Sequence, residues 1–117
     1  MTQLTTHVLD TAHGCPAAGM RVWLYACKTD STRLCLEAAT NADGRCAGPL
    51  LDGAAFKAGR YRLDFAVADY FRARGVSLPD PPFLETVSIH FGIADPKSHY
   101  HVPLLVSPFG YTTYRGS

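Results

Sequence analysis

A hydrophobic period of two constrains this chain more than any other feature. Met20, Val22, Leu24 and Ala26 alternate with Arg21, Trp23, Tyr25 and Cys27. Successive side chains of a strand point to opposite faces, so this pattern buries one face and leaves the other wet. The rhythm returns along the chain. Leu34, Leu36 and Ala38 repeat it; Tyr61, Leu63, Phe65 and Val67 stand against Arg60, Arg62 and Asp64; Val87, Ile89 and Phe91 stand against Thr86, Ser88 and His90. Near the start, Leu4 to Leu9 sets Leu4, Thr6 and Val8 on one face and Thr5, His7 and Leu9 on the other. One of those faces is core, and the other carries the histidine.

Turn chemistry separates these runs. Gly14, Pro16 and Gly19 mark Asp10 to Gly19 as a loop. Asn41-Ala-Asp43-Gly44 turns the chain into an expected fourth strand over Arg45 to Leu51, followed by a loop from Asp52 to Ala58. Ala68 to Arg74 is helix-compatible, has its basic residues late and is ended by Gly75, so a short surface helix is expected there. Two final strands, His99 to Val106 and Tyr111 to Arg115, flank the turn Ser107-Pro-Phe-Gly110. Short strands at near-regular spacing with one small helix read as an all-β sandwich. Pro103 removes a ladder donor within its strand and predicts an edge, a bulge or a local distortion.

Size and charge narrow the function. The 117 residues suit a single domain over 1–117. A net charge of +1, with 18% charged residues spread along the chain, offers no basic stripe for nucleic acid. No window approaches the apolar length of a membrane span, and the start lacks the basic and apolar runs of a signal peptide, so a cytoplasmic protein without a membrane partner is expected. Cys15, Cys27, Cys35 and Cys46 are spaced 12, 8 and 11 apart with no C-x-x-C among them, which predicts reduced thiols rather than a zinc site or a disulfide framework.

The last nineteen residues are unusual for a chain end, which is ordinarily small and polar. They carry His99, His101, Tyr100, Tyr111, Tyr114 and Arg115 and close on Gly116 and Ser117. Strand parity sets His99 and His101 on one face, a geometry open to a metal pair, to an acid and a base lining a cleft, or to ordinary structural histidines. His7 alone reads more often as structural, and Arg45 beside a turn reads most often as part of a solvated face. Residue pattern by itself therefore reaches a β-sandwich with a histidine-bearing face and a distinctive C-terminus.

Longer motifs go further. Thr6-His7-Val8-Leu9-Asp10-Thr11, Thr40-Asn41-Ala42-Asp43-Gly44-Arg45, His99-Tyr100-His101-Val102-Pro103-Leu104-Leu105, then Val106-Ser107-Pro108 and the closing Tyr114-Arg115-Gly116-Ser117 together resemble the 5-hydroxyisourate hydrolases, the enzyme branch of the transthyretin-like family. The resemblance implies a transthyretin-like (prealbumin-like) sandwich of two four-stranded sheets with one short helix. It also implies a homotetramer, a dimer of dimers joined through edge strands, with active sites in a central channel. The implied reaction is hydrolysis of 5-hydroxyisourate without metal or cofactor. His7, Arg45, His101 and Ser117 are its implied catalytic residues, and Tyr114, Arg115 and Gly116 are implied to bind substrate. Such a reaction needs an activated water, donors for a developing oxyanion and a proton for the leaving nitrogen; the two histidines, with Arg45 and Arg115, are expected to supply them. Ser117 is expected to orient a histidine or the water, Gly116 to let the backbone approach substrate, and Tyr114 to anchor the strand. A non-catalytic small-ligand carrier on the same fold and a metal-dependent hydrolase using His99 and His101 are the alternatives.

Overall fold

Among residues 2–117, which the computed structural model describes, nine strands and one α-helix form two packed sheets. They are β1 (Gln3–Asp10), β2 (Cys15–Pro16), β3 (Arg21–Lys28), β4 (Ser31–Ala39), β5 (Leu51–Asp52), β6 (Gly59–Ala66), α1 (Val67–Ala73), β7 (Thr86–Ile93), β8 (Tyr100–Ser107) and β9 (Gly110–Thr113). One sheet runs β4-β3-β6-β7. The other runs β2-β1-β8-β9, with β5 also on β1, so it has five strands where four were expected. The extra strand arises because the free edge of β1 is covered in pieces. Leu51–Asp52 pairs with its start, Cys15–Pro16 with its end, and Arg45 alone bridges to His7 between them. The expected strand over Arg45 to Leu51 is thereby corrected. Gly48 and Pro49 carry the chain away from the ladder, as weak and donor-lacking residues do, and the gap opens next to His7 and Arg45.

The period of two holds where it is strongest. β1 reads half-buried and buried in strict alternation, with Leu4, Thr6, Val8 and Asp10 turned inward. Leu4, Val8, Met20, Leu63, Phe65 and Leu104 are wholly removed from water, and a fully buried side chain of this size contributes about 1.5–3 kcal/mol. The helix is less superficial than its length suggests. It begins on Val67, and Val67, Ala68, Tyr70 and Phe71 are all buried, so it closes the core against which a surface helix would merely lie. Gly75, at φ +86°, lets the chain leave it in the left-handed region.

β1 and β8 pair in parallel, and this one ladder sets the site. Its register puts Thr5 beside His101 and His7 beside Pro103. On the other side of β8, β9 pairs antiparallel from Leu104↔Thr113 to Ser107↔Gly110. The same register resumes at the bridge His101↔Gly116, where the Gly116 N–H donates to the His101 carbonyl at 2.8 Å. Alternation of bonded pairs then sets Pro103 opposite Tyr114 at a position where an N–H is due and proline has none. The ladder breaks there and the Thr113 hydroxyl donates to the Pro103 carbonyl instead, at 2.7 Å. Pro103 thus sits in an inner strand and interrupts only one of its two ladders.

Candidate active site

The outward face of β1 and β8 carries the site, and a five-residue turn completes it. Asn41 builds that turn: its side-chain oxygen accepts from the Asp43 and Arg45 N–H groups at 2.9 and 3.2 Å, while its carbonyl accepts from Gly44 N–H at 2.9 Å. Thr40 anchors it from below, donating to the Ala17 carbonyl at 2.6 Å and accepting from Met20 N–H at 2.9 Å. Gly44 has φ +76°, and a Cβ on it would stand 2.4 Å from the Val8 carbonyl oxygen, so no other residue fits without moving backbone. The outcome is specific. Arg45 is delivered to the edge of β1 opposite His7, and His7 Nε2 donates to the Asp43 carbonyl at 2.8 Å. With Nε2 carrying that proton, the other ring nitrogen of a neutral His7 is its basic one.

Beside this turn is an open depression of about 360 Å³ lined by residues including Thr5, Arg45, Cys46, His99, His101 and Ser117. His101 is its most constrained titratable group. Its Nδ1 is 2.8 Å from the Thr5 hydroxyl, which also stands 3.5 Å from His99 Nε2. Gly116 lies against its ring. Burial first, then the positive charge of Arg45, His7 and His99, holds its pKa below the ordinary 6.5, with Thr5 acting weakly the other way. At neutral pH His101 is an uncharged imidazole facing a cationic pocket. Cys46 has its thiol pushed up by burial and so stays protonated there.

Of the residues expected from sequence, Arg45, His101 and Ser117 line the depression together, with Gly116 against the histidine. His7 does not line it, although it is close enough for its charge to act on His101. Tyr114 and Arg115 are not brought in. Register carries Arg115 opposite Val102, toward the inner face, where its guanidinium stacks 4.0 Å over the Tyr100 ring and donates to the His99 carbonyl at 3.1 Å. Tyr114 is 59% exposed beside the break at Pro103. Gly116 approaches His101 itself, a closer duty than the expected approach to substrate. His99 lies just before β8 rather than in it. Thr5 and Cys46 were missed as site residues; Thr5 shares an alternating face with His7, but its partner is 96 positions away. Among the described residues no three His, Cys, Asp or Glu side chains converge as ligands for a metal ion.

Residues 4–116 match the HIUase/Transthyretin family along nearly the whole chain. The chain belongs to that family. A 5-hydroxyisourate hydrolase 2 of Rhizobium meliloti is 59% identical over 115 residues, covering 98% of this chain and 96% of that protein. The crystal structure of (S)-allantoin synthase superposes with a TM-score of 0.94 at 46% identity over 99% of this chain, which spans 44% of that protein's length. Sea bream transthyretin in complex with thyroxine is similar at 30% identity and a TM-score of 0.85, covering 97% of this chain and 94% of that one.

The architecture is therefore the transthyretin-like sandwich, here with sheets of five and four strands. Family membership alone spans a hydrolase and a hormone-bound transthyretin, so the chemistry must be read from the depression. No helix among the described residues is long and apolar enough to cross a membrane.

Proposed function

We propose that this chain hydrolyses 5-hydroxyisourate to 2-oxo-4-hydroxy-4-carboxy-5-ureidoimidazoline. The observation that carries the reading is a neutral His101 hydrogen-bonded by Thr5 in a pocket with Arg45. An uncharged imidazole can take a proton from water near neutral pH, and a guanidinium beside it can hold the oxyanion that water attack creates. The water proton moves to His101, the water oxygen bonds to the ring carbonyl carbon, and the negative charge develops on the carbonyl oxygen toward Arg45. Collapse breaks the C–N bond and the leaving nitrogen takes the proton that His101 has received from the water. Ser117 orients the water from the pocket rim. Arg115 contributes through the chain end, holding the His99 carbonyl and stacking on Tyr100, while Tyr114 waits at the sheet edge for a neighbouring subunit. None of these steps requires a metal or a cofactor.

The active assembly in this reading is a homotetramer. Among the described residues β7 and β9 end their sheets with unpaired edges, which folded proteins ordinarily cover. Phe109, Tyr111 and Tyr114 are 66, 47 and 59% exposed, as residues awaiting an interface are. The four half-buried cysteines are free thiols, in keeping with a reducing compartment and with the cytoplasm expected from the sequence.

A carrier that binds a planar ring and releases it unchanged is the second reading, favoured by the likeness to thyroxine-bound transthyretin. Freshly generated 5-hydroxyisourate distinguishes the two. Accelerated ultraviolet decay supports the hydrolase; binding without acceleration supports the carrier. A chelator that abolished the acceleration would instead favour a metal-dependent reaction at His99 and His101.

A further inference from the structure

The Thr5 hydroxyl lies between two histidine rings, 2.8 Å from His101 Nδ1 and 3.5 Å from His99 Nε2. A hydroxyl has one proton to give and two lone pairs to receive with, so toward His101 Nδ1 it either accepts or donates. In one arrangement Thr5 donates to His99 Nε2 and accepts from His101 Nδ1–H. The second nitrogen of His101, Nε2, is then a bare lone pair and a base. In the other, His99 Nε2–H donates to Thr5, and Thr5 donates to His101 Nδ1. His101 Nε2 then carries the proton, and the ring has no basic nitrogen to offer the pocket.

Resting on the hydrolase reading, we infer that Thr5 is a positioning residue: its hydroxyl, 2.8 Å away, accepts from His101 Nδ1–H and so holds the ring in the tautomer whose Nε2 is a base. In the productive arrangement the water proton goes to His101 Nε2, and the imidazolium keeps its Nδ1–H on the Thr5 oxygen.

The surroundings fit a ring whose tautomer, rather than charge, is in question. His101 faces Thr5 and His7 from β1, Arg45 and Cys46 from the turn and the chain after it, Gly116 and Ser117 from the chain end, and His99 from its own segment. Burial and the cations among these neighbours keep His101 uncharged. His99 is held by its backbone, where Arg115 bonds its carbonyl at 3.1 Å, so its ring can be replaced without releasing the segment.

Nitrogen NMR of the His101 ring tests the inference without substrate. At pH 8 the wild type is expected to show the Nδ1–H tautomer, Thr5→Ser to keep it, and the near-isosteric Thr5→Val to shift the ring toward Nε2–H. In turnover, Thr5→Val is expected to lower kcat by about tenfold or more, within the range of a misdirected acid-base group, with KM changed less than twofold and recovery in Thr5→Ser. Unchanged ring shifts and kcat in Thr5→Val overturn the inference. A folded wild type with the expected ring shifts that leaves 5-hydroxyisourate untouched overturns the hydrolase reading and leaves the hold of Thr5 on His101 supported.

Discussion

Gly116 lies flat against the imidazole of His101: a Cβ on it would stand 2.6 Å from Cδ2 and 3.3 Å from Cγ of that ring. The glycine N–H donates to the His101 carbonyl at 2.8 Å, so the chain end holds both the backbone and the ring of the same residue. Gly116→Ala is expected to push the ring out of line with Thr5 and to lower kcat/KM by about 10²-fold, as angstrom-scale misplacement does. The fold should survive, because Gly116 is outside the core. Melting curves beside rate measurements check this: a fall in rate with Tm held within a few degrees is the expected pair.

Gly44 tests the other half of the site through stability. Its φ of +76° and the 2.4 Å approach of a Cβ to the Val8 carbonyl leave no room for alanine. Strain of this kind costs about 1–3 kcal/mol, so Gly44→Ala should lower Tm by several degrees. Activity should fall further than stability, since Arg45 and the Asp43 carbonyl under His7 both ride on this turn.

The two arginines are expected to separate. Arg45 lines the depression and Arg115 does not. Arg45→Ala should lower kcat by about 10²–10³-fold, the usual loss of an oxyanion donor, while Arg115→Ala should act more weakly, by loosening the segment that carries His99 and Ser117. Arg45→Ala should also raise the midpoint of the acid limb, because the cation that helps depress His101 is gone. Steady-state rates over pH for the two variants decide it; equal losses would place both guanidinium groups on the substrate.

Asp10 makes stability depend on acid. Although wholly buried, which would raise its pKa, the carboxylate accepts from the Tyr70 hydroxyl at 2.7 Å and from His13 N–H and Nδ1–H at 2.9 and 2.6 Å, and its pKa is lowered below 3.8. A depressed folded-state pKa gives stability that is complete above the unfolded value and drains as the pH falls through the folded one. The protein should therefore lose stability progressively below pH ~4. Tyr70, pushed up to about 12 mainly by burial, sets the alkaline counterpart: stability present below its ordinary value near 10 is lost as the pH rises toward 12. Asp10→Asn should flatten the acid edge of a Tm-versus-pH curve and lower its plateau.

Several of these relationships were legible in the sequence and several were not. The alternation of β1, β3 and β6 is written in their apolar residues, because one face of each is core, and the turn from Asn41 to Gly44 is written in its side chains. The expected strand over Arg45 to Leu51 failed because its pairing is intermittent: only Arg45 and Leu51 pair with β1, and Gly48 and Pro49 between them take the chain off the ladder. His7, Arg45, His101 and the closing tetrapeptide were reached through longer motifs rather than spacing. Thr5 was not, since its role exists only through a parallel ladder that joins residues nearly a chain length apart. Arg115 shows the converse: the motif names it, but the register decides which face it takes.

The central claim is tested most directly by following the ultraviolet decay of freshly generated 5-hydroxyisourate with the wild type, with His101→Ala, and with the wild type after chelator treatment. Decay accelerated by the wild type, undiminished by the chelator and lost in His101→Ala is the expected result. No acceleration by the folded protein, or acceleration that His101→Ala retains, contradicts it.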